Sequence, residues 1–228
     1  FQLFQIGFGG IPGRPIGDGP DGHSLWPGFT NVPNEFIESY FPLRIEKYET
    51  IIDSGGAGLH RGGNGLSVAY RFLCDGEIGI HDERWLTYPW GVNGGETGMR
   101  STKRLVRADG REEWVPAKVE GIKVKTGDLL YFNTWGGGGW GDPFARDPQL
   151  VLDDVNRGLV SADGAARYGV VIADGAVDAA ATDALRQKLI AERGDDIPLF
   201  NYGGTSEEIR SRCEAETHLP APVAPVFR

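Results

Sequence analysis

Apolar and polar residues alternate with a period of two in several short stretches of the first two-thirds of the chain, the signature of half-buried strands. Over 43–51 the alternation puts Leu43, Ile45 and Ile51 on one side and charged residues on the other. The same reasoning predicts strands over 66–73, 77–81, 102–107, 119–124 and 128–134. The Asp-Gly pair in Ala108-Asp109-Gly110-Arg111 predicts a tight hairpin, because glycine accepts a positive φ. One helix interrupts this region over 34–41, following Pro33, with acidic residues in its first turn and Pro42 as its stop.

Beyond Pro143 the period changes to a helical one. Asp147 is placed as an N-cap with Pro148 at the first helical position, and the helix ends at Gly158. Ser161 caps a second short helix reaching Tyr168. A third over 178–193 carries Ala181, Leu185, Leu189 and Ile190 on one stripe, and a fourth spans 206–216. The proline-rich stretch 219–227 reads as an extended arm lying on another surface. The expected architecture is α+β, a mainly antiparallel β core with a short C-terminal helical segment and an extended tail. It divides into a glycine-loop core (1–145), a helical segment (146–194) and a C-terminal extension or arm (195–228).

Composition narrows the class. With 40% hydrophobic and 24% charged residues the 228-residue chain is globular. Its 35 glycines are roughly twice the average share, yet they follow no Gly-X-Y period and 11% of residues are aromatic, which excludes collagen and simple linkers. A formal charge of −9 and the lack of any basic run exclude nucleic acid as a partner. No apolar run reaches the ~18 residues of a membrane span, and no signal sequence opens the chain. Cys74 and Cys213 make neither a disulfide framework nor a metal spacing, so a cytoplasmic location is expected. The chain begins at Phe1 and its one methionine is Met99, so it is read as a fragment, a processed product or a piece of a longer polypeptide.

Candidate chemistry sits in glycine-rich blocks. In 133–143, Gly136, Gly138 and Gly141 satisfy G-x-G-x-x-G, but Asp142-Pro143 separates them from the next helix and no Gly-Lys-Ser/Thr follows. The block reads as a structural turn between two layers ahead of a ligand cradle, with Gly136, Gly138, Gly139, Gly141 and Asp142 shaping a site or interface. In 53–65, His60, Arg61 and Asn64 stand among glycines. Arg61 could bind a carboxylate there, or pair with a neighbouring acid in a long twisted hairpin. Loop 9–24 brings Asp18, Asp21 and His23, types that can hold a divalent metal or act as acid and base, in words that are also ordinary turns. His81-Asp82-Glu83-Arg84-Trp85 reads as a solvated strand end, with Trp85, Tyr88 and Trp90 packing a core or a subunit surface. No G-x-S-x-G elbow occurs, and neither cysteine has a neighbouring histidine in sequence.

Taken in order, the block from Gly9 to His23, Asp53-Ser54-Gly55-Gly56-Ala57-Gly58-Leu59-His60-Arg61-Gly62-Gly63, and Gly136-Gly137-Gly138-Gly139-Trp140-Gly141-Asp142-Pro143 followed by Asp147-Pro148 resemble the C-terminal part of the hydantoinase B family. The segment from Gly158 to Val171 fits it as well, and the resemblance covers about 1–173. Such proteins are similar to the B-type subunits of 5-oxoprolinase, N-methylhydantoinase and caprolactamase, and to subunits of acetone and acetophenone carboxylases. The resemblance implies a component of an ATP-dependent cyclic amide hydrolase in a hetero-oligomer. A hydantoinase A-type subunit would bind ATP, and a chain carrying the N-terminal B portion would hold a divalent metal ion, outside this chain. From residue type and loop context, Arg61, His23 and Asp21 are taken as substrate contacts, and no catalytic residue or metal ligand is assigned in this chain. A ketone carboxylase subunit, or a non-catalytic structural subunit that grips its partner through glycine loops and aromatic surfaces, are the alternative readings.

Overall fold

The computed structural model describes residues 2–23, 28, 30–194 and 197–223. Ser24 of the first glycine-rich loop and the end of the proline-rich arm beyond Val223 lie outside them.

Helix α1 (Asn34–Tyr40) opens the regular structure, its Phe41 N–H closing on Ile37 O, and buries Ile37. Strands β1 (Leu43–Thr50) and β2 (Leu66–Phe72) follow, then β3 (Gly76–His81), β4 (Gly91–Val92), β5 (Thr102–Val106), β6 (Glu112–Trp114), β7 (Lys118–Val124) and β8 (Leu129–Asn133). Five of them form an antiparallel sheet in the order β1-β2-β8-β5-β6, while β3 pairs with β7 in a separate ribbon. The Asp109-Gly110 turn joins β5 to β6 as expected, with Gly110 at φ +86°. All six predicted strands are present. Sheet, ribbon and α1 share one core built from Ile37, Leu43, Phe72, Ile80, Leu105, Val115, Val124 and Leu130.

Helix α2 (Pro148–Asn156) starts where predicted, Asp147 accepting from Gln149 N at 2.9 Å. The segment after Ser161 is a short 3-10 helix, Gly164–Tyr168, and not an α-helix: Ser161 Oγ accepts from Gly164 N, and Gly169 at φ +63° stops it. A two-residue hairpin, β9 (Ile172–Ala173) with β10 (Ala176–Val177), leads into α3 (Ala179–Arg193), capped by Asp178. The α3 stripe is only half-buried and Ile190 is exposed, because the helix lies at the rim and buries Thr182 alone. A second core of Ala57, Val151, Val160, Ala165, Tyr168 and Val170 joins this segment to the glycine-rich part.

The extension adds β11 (Phe200–Asn201), antiparallel to β4, and α4 (Ser206–Thr217), which begins in a Thr205/Glu208 capping box. Helix α4 is anchored to the core by Glu216 on the buried Arg100 and by Cys213 packed under Trp85 O. Among the described residues no helix is long and apolar enough to cross a membrane.

The glycine blocks correct one expectation and bear out another. Residues 136–139 do not turn between layers, whereas 53–65 join the antiparallel strands β1 and β2 as a long hairpin connection, with Ile51 N bonding Gly65 O and Gly62 N bonding Gly56 O, each at 2.9 Å. Both are largely buried and are hydrogen-bonded backbone to backbone with each other and with 9–13 and 91–98: Gly63 N to Ile11 O, Gly137 N to Gly63 O, Gly56 N to Gly137 O and Gly139 N to Glu96 O, each at 2.8 Å. A Cβ on Gly136, Gly137, Gly138 or Gly139 would overlap the carbonyl oxygen of Ser54, Ile11, Trp90 or Ala57 respectively. These glycines are therefore required by close approach and not by positive φ. Gly141, at φ +77°, is where the segment bends away.

Candidate functional site

The densest buried chemistry lies where the glycine framework meets the helical segment. Asp18 leaves its loop to accept from Arg61 N at 2.7 Å and from both terminal nitrogens of Arg146 at 2.7 Å each. Arg146 also donates to Asp154 Oδ2 at 2.8 Å and to Leu59 O at 3.0 Å. Arg61 Nε stands 3.7 Å from the same Asp154 oxygen. Its terminal nitrogens hold Asp21 at 2.8 and 3.3 Å, and Asp21 accepts in addition from Asn64 N at 2.7 Å. The result is a chain of alternating charges, Asp21–Arg61–Asp154–Arg146–Asp18, with Tyr168 beneath it.

Environment divides the carboxylates. Burial alone would raise the Asp18 pKa, but the hydrogen bonds and charge of Arg146 and the Arg61 N–H outweigh it and hold Asp18 below the usual range. At Asp154 burial dominates both arginines and the pKa is raised. Burial raises the Tyr168 phenol as well. The arginines remain cationic, since their acidic partners more than offset desolvation.

Of the three substrate-contact candidates, Asp21 and Arg61 are brought together, in the acid pairing that was one of the two readings of Arg61. Arg61 is 4% exposed and its terminal nitrogens face Asp21 and Gly62 O. His23 stands apart from them. Its backbone N–H bonds Gly9 O at 3.0 Å, and the residue lines an open cavity of about 500 Å3 with Phe8, Gly22, Asn31, Pro33 and Tyr48. The Asn31 amide is committed to the backbone of Ile6. Gly136, Gly138 and Gly139 lie inside the framework, and Asp142 beyond Gly141 is held by Arg193 through two 2.8 Å bonds. His60 stacks on Trp140 at 5.8 Å, 3.9 Å from Asp18.

The strand end at His81 and Glu83 is solvated as expected, but Asp82 between them belongs to a second buried group. Asp82, buried, meets Lys103 Nζ and Ser101 Oγ, and burial pushes the Lys103 pKa down to about 7. Arg146, Asp154, Tyr168 and Lys103 were not anticipated. Nothing local marks them, since Arg146 and Asp18 are 128 positions apart. Among the described residues no group of three or more His, Cys, Asp or Glu could hold a metal ion. Asp18 and Asp21, the carboxylates nearest His23 in sequence, are taken by arginines, so this loop does not fit a divalent cation.

The framework itself is matched by a known family. The family model for hydantoinase B/oxoprolinase covers residues 1–143, the stretch that supplies every glycine segment. The chain belongs to the hydantoinase B/oxoprolinase family. It is 37% identical over 160 residues to caprolactamase subunit beta of Pseudomonas jessenii, covering 67% of this chain and 27% of that one. It is 32% identical over 142 residues to 5-oxoprolinase 1 of Arabidopsis thaliana, covering 62% and 11%. The crystal structure of the ATP-dependent caprolactamase superposes with a TM-score of 0.62 at 29% identity over 78% of this chain and 32% of that one. Nucleotide-free acetone carboxylase superposes at 0.67 with 24% identity over 81% and 30%, a likeness of fold. This family member spans about a third or less of the length of the curated relatives it matches.

Proposed function

We propose that this chain is the C-terminal portion of a B-type component of an ATP-dependent cyclic amide hydrolase, acting on a lactam, a hydantoin or 5-oxoproline. The observation that carries the reading is the 37% identity over 160 residues to a caprolactamase beta subunit. In this reading a hydantoinase A-type subunit binds ATP, and a chain carrying the N-terminal B portion supplies a divalent metal ion, the whole working as a cytoplasmic hetero-oligomer. Phosphorylating the amide oxygen removes the resonance that protects the C–N bond, so the activated ring must be kept from bulk water until the attack is due. A rigid wall serves that purpose, and the backbone-packed glycines provide one.

Within the chain, residues 1–145 form the framework, 146–194 brace it, and 195–228 extend it. His23 meets the ligand from the cavity wall. Asp21 and Arg61 set the position of its loop, and Gly136, Gly138, Gly139, Gly141 and Asp142 shape the wall behind. The test is reconstitution of the chain with an A-type subunit and the N-terminal B portion, following phosphate release. Release should depend on a cyclic amide and on this chain, and should fall with His23→Ala. Stimulation by acetone and bicarbonate alone would assign the ketone carboxylase reading instead. Full activity in His23→Ala would leave the chain a structural role.

A further inference from the structure

Trp90, Phe200 and Tyr202 form an outward-facing aromatic cluster. Trp90 meets Tyr202 edge-on at 4.9 Å and Phe200 at 6.4 Å, and Phe200 stacks on Tyr202 at 6.1 Å. All three are close to half exposed (46%, 45% and 47%), Leu199 beside them is 61% exposed, and the Arg84 guanidinium lies 5.9 Å over the Trp90 ring. The rings are held in place, since β11 pairs with β4 and Asn93 N bonds Leu199 O at 2.8 Å. Two of the three rings belong to the extension, outside the stretch matched by the family model.

A fixed, exposed aromatic surface suits a polyproline II segment, whose proline rings seat between aromatic side chains at small entropic cost. The sequence carries a stretch of that kind: in Pro222-Val223-Ala224-Pro225 the two prolines stand three positions apart, the period of a polyproline II helix. The segment is rooted on α4 by Ala221, whose N–H bonds Glu214 Oε1 at 2.9 Å, and past that root Val223 is 83% exposed. The root is near the C-terminal end of α4, and Tyr202 precedes its N-terminal end, so the two features lie toward opposite ends of one helix. Each copy thus offers one aromatic cluster and one proline-rich arm, which a two-fold dimer satisfies pairwise.

We propose that residues 222–227 of one copy lie across Trp90, Phe200 and Tyr202 of a second copy, and reciprocally, in an arm-exchanged dimer. The contact is apolar while each copy carries a formal charge of −9, so added salt, which screens the repulsion between copies, strengthens association.

Sedimentation velocity over a range of protein and salt concentrations tests it. The full chain should dimerise, more tightly in higher salt. A chain ending at Ala221 should be monomeric, with its unfolding temperature unchanged, because Pro222 and Val223 are both exposed and lie outside the core. Trp90→Ala should weaken the dimer by about tenfold or more. A fluorescently labelled Pro222–Arg228 peptide should bind the shortened chain and fail to bind its Trp90→Ala form. A full chain that stays monomeric, a dimer that survives removal of the arm, or peptide binding indifferent to Trp90 overturns the proposal. None of these measurements depends on the enzymatic reading.

Discussion

The Arg146 guanidinium grips the Asp18 carboxylate end-on, Nη1 to Oδ1 and Nη2 to Oδ2 both at 2.7 Å, and so ties the first glycine-rich loop to the start of the helical segment. Arg146 is 2% exposed and Asp18 36%, which makes the arginine the member that cannot be left alone. Asp18→Asn should destabilise the chain by about 2 kcal/mol in urea titration. That is less than the ~3–5 of a fully buried pair, because Asp18 is partly in water. Unfolding indistinguishable from the unsubstituted chain would show that the grip contributes nothing.

The two carboxylates on Arg146 respond to acid in opposite senses. The Asp18 pKa is lowered in the fold, so its stabilisation is complete above about pH 4 and is lost as the pH falls through the lowered value. The Asp154 pKa is raised, so the fold takes up that proton more readily than the unfolded chain does. Its contribution is present below about pH 4 and fades as the pH rises through the raised value. The stability-versus-pH curve of Asp18→Asn should therefore be shallower on its acid limb and that of Asp154→Asn steeper. Parallel limbs would contradict the assignment.

Glycine substitutions should separate by position and not by composition. Gly138→Ala places a methyl on Trp90 O inside the framework and should cost at least about 3 kcal/mol or prevent folding. Gly17→Ala meets nothing within 4 Å and has no positive φ, so it should be neutral or stabilise by about 0.5 kcal/mol through the unfolded chain. Thermal unfolding of the pair decides, and equal effects would remove close approach as the reason for the glycine blocks.

Lys103 and Asp82 are both buried, with side-chain exposures of 0% and 3%. Lys103→Met leaves a carboxylate without its cation and should cost about 3 to 5 kcal/mol, while Lys103→Met with Asp82→Leu should recover much of that loss. A double-mutant cycle by chemical denaturation measures it. Additive effects would mean the two groups do not act as a pair.

The strands, the helix caps and the Asp109-Gly110 turn were legible in the sequence because each is decided by neighbours a few residues away. Asp147 caps its helix from one residue before it, and β1 shows its alternation within its own length. Asp21 and Arg61 could be named from residue type and glycine context, although not as partners 40 positions apart. Asp82 was misjudged because a charged run beside a strand is commonly solvated. Only the approach of Lys103 and Ser101 from β5 and its approach segment makes burial tolerable.

By itself the sequence determined the local elements, the α+β class and the order of the glycine blocks on which the family resemblance rests. What those glycines are for was decided by the tertiary structure. A glycine run is compatible with a turn, a ligand cradle or a close backbone crossing, and these differ only in what lies against the missing side chain. Here it is the carbonyls of Ser54, Ile11, Trp90 and Ala57, brought from three other stretches of the chain. The same long-range closure set Arg146 on Asp18 and left Trp90 half exposed beside the extension, since contacts between distant segments leave no periodic trace in the residues that make them.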